Sequence, residues 1–279
     1  MTASTQRRRH RLAGLAVVLF ALLVVGAGYT VITGSDSAAS ASAPNAAQQA
    51  QIAEGRSLFE QNCATCHGFA AQGQKGVAPS LIGVGSAAVD FQVSTGRMPA
   101  KINEAENDRK PLATAFVLPN GMPDTKRIHA VAAFIESLGG GPLIPSKGQV
   151  STAGANLALG QSLFISNCAQ CHNFGGAGGA LTFGKFAPTL DPSTRTQIYE
   201  AMLTGPEAMP VFNNSAIPPN EKRDIIAYVT GERSQPNPGG FSLGRVGPVT
   251  EGLFAFLGVL LFMVLAAMWI TARQGRAHE

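Results

Sequence analysis

The chain contains four cysteines, arranged as two pairs, and a histidine directly follows each pair: Cys63-Ala64-Thr65-Cys66-His67 and Cys168-Ala169-Gln170-Cys171-His172. Two thiols at this spacing could close a disulfide, hold a zinc ion or act as a dithiol redox pair. None of these needs the next residue to be histidine, and none accounts for the repetition. Covalent haem attachment accounts for both. Two thiols reach the two vinyl groups on one edge of a porphyrin, and the adjacent imidazole turns under the iron as its axial ligand. This reading uses every cysteine. It predicts two covalently bound haem c groups, attached at Cys63, Cys66, Cys168 and Cys171, with His67 and His172 on the irons.

The opposite axial position calls for a second ligand. Methionine thioether is soft, favours ferrous iron and raises its reduction potential. Thr204-Gly-Pro-Glu-Ala-Met209-Pro and Thr95-Gly-Arg-Met98-Pro are the two candidate loops, so Met209 and Met98 are the expected ligands. Met122, in Gly121-Met122-Pro123, is the alternative for the first iron, because 36 residues separate Met98 from Phe134 but only 19 separate Met209 from Tyr228. The first half thus carries an extra 17 residues before its last helix. His129 falls on that helix and reads as a packed or exposed side chain; His10 and His278 lie in the tails. Met202 reads as core. The mixed-charge stretch Asn103 to Lys110 reads as a surface loop.

The elements that must position these groups are repeated too. Glu54–Phe69 aligns with Leu159–Phe174 with ten of sixteen residues identical, at an offset of 105. Ala78-Pro79-Ser80-Leu81 then matches Ala187-Pro188-Thr189-Leu190 at 109, and Met98-Pro99 matches Met209-Pro210 at 111. One domain has been duplicated in tandem. In each half the order is helix, C-x-x-C-H, Pro-containing loop, helix, Met-Pro, last helix. This order resembles the class I cytochrome c fold, so the expected fold class is mainly α, two such domains at residues 50–138 and 157–232 joined by a linker at 139–156. The resemblance implies a close crossing of first and last helices, with Gly55 and Gly160 at the contact and the aromatic pairs Phe59/Phe134 and Phe164/Tyr228 beside it. Domains this small make marginal cores, and the porphyrin is expected to complete them.

Composition sets the location. Charged residues are 14% and hydrophobic ones 45% of the chain, which excludes a disordered, charge-rich protein. Residues 33 to 250 hold 15 basic and 15 acidic side chains, so no basic stripe for nucleic acid exists and the net charge of +4 belongs to the ends. Leu12–Ile32 is 21 residues without a charge behind Arg7, Arg8, Arg9 and Arg11. It reads as an anchor or, given Ala41-Ser42-Ala43, a signal segment, with residues 1–33 as the basic tail plus this segment. Gly252–Ile270 is a second uncharged run, with Trp269 near its end, and is followed by Arg273 and Arg276. It predicts a transmembrane helix over 249–271, after a linker at 233–248 and before a tail at 272–279. Basic residues outside both segments place both termini in the cytoplasm and the domains on the outer face of the plasma membrane.

Haem iron with both axial positions taken binds no substrate, and no other catalytic constellation is present, so electron transfer is the function left. Two haem domains followed by a C-terminal span resemble the cytochrome cc subunit of actinobacterial cytochrome bcc complexes, the menaquinol–cytochrome c reductases. Asn62-Cys-Ala-Thr-Cys-His67, Thr95-Gly-Arg-Met-Pro99 and Lys222-Arg-Asp-Ile-Ile-Ala-Tyr-Val229 carry the likeness. It implies a dimeric complex with a cytochrome b subunit and a Rieske iron–sulfur subunit, and electron delivery to the copper-bearing subunit of an aa-type terminal oxidase. The chain would be an electron-transfer subunit of that reductase, not catalytic alone. The competing reading is a membrane-bound dihaem acceptor for a periplasmic dehydrogenase.

Overall fold

The computed structural model describes residues 14–26, 44–101, 106–236 and 243–277. Within the first 48 residues, Gly14–Gly26 forms an apolar helix, α1, exposed along its length. The rest of the expected Leu12–Ile32 segment and Ala41-Ser42-Ala43 lie outside the described residues.

The first repeat is built from α2 (Ala46–Asn62), α3 (Ala64–His67), α4 (Gly85–Ser94) and α5 (Thr125–Ser137). Its first helix starts at a reciprocal cap: Gln48 N–H donates to Asn45 Oδ1, and Asn45 N–H donates to Gln48 Oε1, both at 2.9 Å. Asp124 caps α5 by accepting from Arg127 N–H. The second repeat is α6 (Leu157–Asn167), α7 (Ala169–His172), α8 (Arg195–Thr204) and α9 (Pro219–Ser234). Asn156 caps α6, and Thr194 with Gln197 forms a capping box on α8.

The helix crossings are as expected, and the glycines make them possible. A Cβ on Gly55 would stand 1.8 Å from the Ala130 carbonyl oxygen of α5, and one on Gly160 would stand 2.0 Å from that of Asp224 in α9. Only hydrogen fits at either contact. Phe59 meets Phe134 with ring centres 5.3 Å apart, and Phe164 meets Tyr228 at 5.4 Å, both pairs tilted by 52°. Each repeat has its own apolar cluster around these rings.

The repeats differ in two places. Between His172 and Pro188 the chain adds four residues relative to His67 and Pro79, and there a two-residue antiparallel ladder forms, β1 (Gly179–Ala180) with β2 (Phe186–Ala187). This explains the shift of the repeat offset from 105 to 109. The 17-residue insertion of the first repeat has two uses. Phe116 enters the first core with no exposure, while Glu106 to Lys110 turns towards the second repeat. That stretch is therefore a joint between domains rather than a free surface loop.

The linker is packed too. Ala87 N–H donates to the Pro142 carbonyl, and Arg223 donates to the carbonyls of Ser151 and Ala153. After α9, Phe174 and Gly175 N–H groups donate to Val246 and Arg245 carbonyls, so the root of α10 (Pro248–Ala277) is tied to the second repeat just beyond His172. Thirty residues at about 1.5 Å rise give roughly 45 Å, enough to cross a bilayer. Its described side chains are almost all exposed, as a lipid-facing helix requires, and the Arg273 guanidinium stacks 4.4 Å over Trp269 near its end.

Candidate cofactor centres

The two C-x-x-C-H segments fold identically. α2 and α6 each end by donating a side-chain amide backwards: Asn62 Nδ2 to Leu58 O and Asn167 Nδ2 to Leu163 O, both at 2.8 Å. The first cysteine closes the turn, Cys63 N–H to Phe59 O and Cys168 N–H to Phe164 O. A single further turn, α3 or α7, then carries the second cysteine and the histidine. The four cysteines are not joined to one another. Burial pushes the Cys63 and Cys168 thiols up to about 11, with Cys66 and Cys171 adding to the shift. Neither is an activated thiolate, which argues against a thiol redox site.

Both histidines are oriented by a proline carbonyl. His67 Nδ1 lies 2.8 Å from Pro79 O, and His172 Nδ1 lies 3.1 Å from Pro188 O. A carbonyl can only accept, so Nδ1 carries the proton and Nε2 keeps its lone pair. Burial pulls the His172 pKa below its ordinary value, against the opposing effect of that hydrogen bond, which keeps the ring a neutral donor. The Pro loops are held in the same way in both halves: Gly73 N–H donates to His67 O and Gly178 N–H to His172 O, while Leu81 and Leu190 N–H groups donate to Ala71 and Gly176 carbonyls. The role of the Pro79 and Pro188 carbonyls was not read from the residues, although the repeated Ala-Pro-x-Leu at offset 109 was its signal.

The methionines divide clearly. Met98 and Cys63 pack against the first apolar cluster, and Met209 joins Cys168 at the second. Met122 is 60% exposed on a turn closed by Leu118 N–H to Met122 O. Met202 is core, as expected, at 2% exposure. His129 lies on α5 against Asp90, with Nε2 3.6 Å from Asp90 Oδ1. In each half, then, a carbonyl-oriented imidazole, a half-buried thioether and the first cysteine at the apolar core, and a second cysteine one turn further on make up the donor set. This donor set suits a covalently held haem c.

Two further arrangements carry no signal in the sequence. Lys222 is fully buried at the start of α9, and its Nζ donates to Asn213 O, Asn214 Oδ1 and Ile217 O in the chain that follows Met209. Burial pulls its pKa down to about 8. Arg97, next to Met98, reaches Glu207, two residues before Met209, with Nε 3.6 Å from Oε1. The loops bearing the two methionines are thus joined across the repeats. Asn107 N–H donates to the same Glu207 oxygen, and Arg109 donates to Gln197 Oε1, whose amide in turn donates to Ser94.

Comparison with known proteins agrees with this geometry. A family model described as "Cytochrome C oxidase, cbb3-type, subunit III" matches twice, at residues 50–135 and 155–229, once over each repeat. Over nearly the whole length, the chain is 43% identical to the cytochrome bc1 complex cytochrome c subunit of Corynebacterium diphtheriae, covering 96% of this chain and 97% of that one. It is 41% identical to the Corynebacterium efficiens protein of the same name, over 96% and 92%, and 42% identical to that of Mycobacterium tuberculosis (strain H37Rv), over 97% and 94%. The family model matches each repeat separately, whereas these relatives match over nearly the whole length of the chain. The chain belongs to the cytochrome bc1 complex cytochrome c subunits.

Proposed function

We propose that this chain binds two haem c groups covalently and carries electrons within a cytochrome bcc complex, from the iron–sulfur centre of a Rieske subunit to the copper centre of a terminal oxidase. The observation that carries this reading is the duplicated site: two C-x-x-C-H turns, each with its imidazole fixed on a proline carbonyl and a methionine at the same core. When bound, haem c supplies a one-electron iron couple. The residues of the chain do the rest. Cys63 with Cys66, and Cys168 with Cys171, would hold the group by thioether bonds. The Pro79 and Pro188 carbonyls hold the Nδ1 protons of His67 and His172 and leave Nε2 for the iron. Met98 and Met209 would supply the thioether ligands and exclude other ligands, which would favour electron transfer over chemistry on a bound substrate. The Arg97–Glu207 pair keeps the two methionine loops together. α10 anchors the assembly, with the domains on the extracytoplasmic face of the plasma membrane and both termini in the cytoplasm.

The test is purification of the tagged chain from membranes, with intact-mass analysis and visible spectra of what accompanies it. Two haem masses on the chain, with a cytochrome b, a Rieske protein and an oxidase in the eluate, are expected. A chain without added mass would overturn the cofactor reading. Co-isolation with a dehydrogenase alone would overturn the assignment to a bcc complex.

A further inference from the structure

Where α4 of the first repeat packs on α8 of the second, two acids meet inside the protein. Asp90 is 6% exposed and Glu200 is not exposed at all, and the two carboxyls lie against each other. Among the described residues, no donor reaches either oxygen of Glu200. The cations around the interface are engaged elsewhere. From α9, the Lys222 Nζ lies 5.8 Å from the Tyr199 ring centre and donates to the loop after Met209. Arg97 lies over Phe91 and pairs with Glu207, and Arg109 donates to Gln197. From α5, His129 Nε2 stands 3.6 Å from Asp90 Oδ1, with its side chain 43% exposed.

Two ionised carboxylates side by side in a dry interface repel each other and leave acceptor oxygens unsatisfied; one proton removes both costs, because a neutral carboxyl donates O–H to its ionised neighbour. We propose that Asp90 and Glu200 together bind one proton across the interface between the two repeats, and that His129 is the group through which this proton exchanges with solvent. Release moves the proton from the pair to the His129 imidazole and then to water, leaving two carboxylates between the domains. Burial and the Asp90 charge act in the same direction, pushing the Glu200 pKa from an ordinary 4.5 up to about 11. An unfolded chain ionises Glu200 near 4.5 while the folded one keeps its proton. This contribution is therefore fully favourable below about pH 4.5 and is lost progressively as the pH rises towards 11.

The test uses the full-length, haem-loaded protein in detergent. Infrared spectra at neutral pH should show a protonated-carboxyl C=O band that is lost in Glu200→Gln, where an amide replaces the acid. It should also be lost in Asp90→Asn, where a new N–H donor lets Glu200 ionise. The fall of the melting temperature with rising pH should be shallower in Glu200→Gln than in wild type. Deuterium exchange of the band should slow in His129→Phe. A band or a pH slope unchanged in both carboxyl variants overturns the shared proton, and unchanged exchange in His129→Phe overturns the route.

Discussion

A thioether holds iron only where the fold keeps it in place, and the three candidate methionines differ in just that respect. Met98 and Met209 are packed against their cores, whereas Met122 lies on an exposed turn. Met209→Leu should lower the midpoint potential of one haem and open its iron to carbon monoxide, and Met98→Leu should do the same for the other. Met122→Leu should change neither, as redox titration with carbon monoxide difference spectra would show. A second effect follows from Lys222, which lies away from the proposed axial ligands in sequence but fastens the segment from Asn213 to Ile217. Lys222→Met keeps the bulk and removes three hydrogen bonds, leaving the buried Ile217 carbonyl without that donor at a cost of about 1–3 kcal/mol. The expected result is faster cyanide binding at the Met209 iron only, read by stopped-flow absorbance. The cysteine and histidine candidates could be picked out directly because residue type and short spacing mark them, whereas the sequence left Met98 and Met122 both open and their burial differs. Lys222 could not be picked out, because a lysine in the first turn of a helix is ordinarily solvated.

At the scale of elements, the crossing of first and last helices is the contact with the least tolerance. Gly55→Val and Gly160→Val each drive a side chain into a backbone carbonyl that lies at 1.8 or 2.0 Å from the added Cβ. Backbone cannot rotate away as a side chain can, so each should cost at least the ~1–3 kcal/mol of an overpacked core. Thermal melting followed by circular dichroism should show the loss, and a melting point within error of wild type in both variants would refute the crossing. This part of the fold was legible. Gly55/Gly160 and the aromatic pairs recur at matching places in both halves, and a duplicated pattern marks what both copies need. The α4–α8 packing was not legible, since it joins residues such as Ser94 and Gln197, 103 apart, that share no motif. The insertion before α5 was visible as 17 extra residues, but not its division of labour, with Phe116 in the core and Arg109 on the second repeat.

At the scale of the molecule, α10, which is long and apolar enough to cross a membrane, is tied to the second repeat through backbone bonds between Phe174–Gly175 and Arg245–Val246. A chain ending at Val246 keeps the N-terminal apolar segment and should still sediment with membranes; its appearance in the soluble fraction would show that segment to be removed as a signal. Sequence alone was sufficient for the two cysteine–histidine motifs, the duplication, the mainly helical class and the apolar C-terminal helix, because each depends on composition or on residues close together in the chain. Only the tertiary structure decided how the two repeats meet: Arg97 on Glu207, Asp90 on Glu200, and an insertion serving as their joint. Those pairings follow from which helix faces and loops remain uncovered once each core has closed, and no local spacing records that.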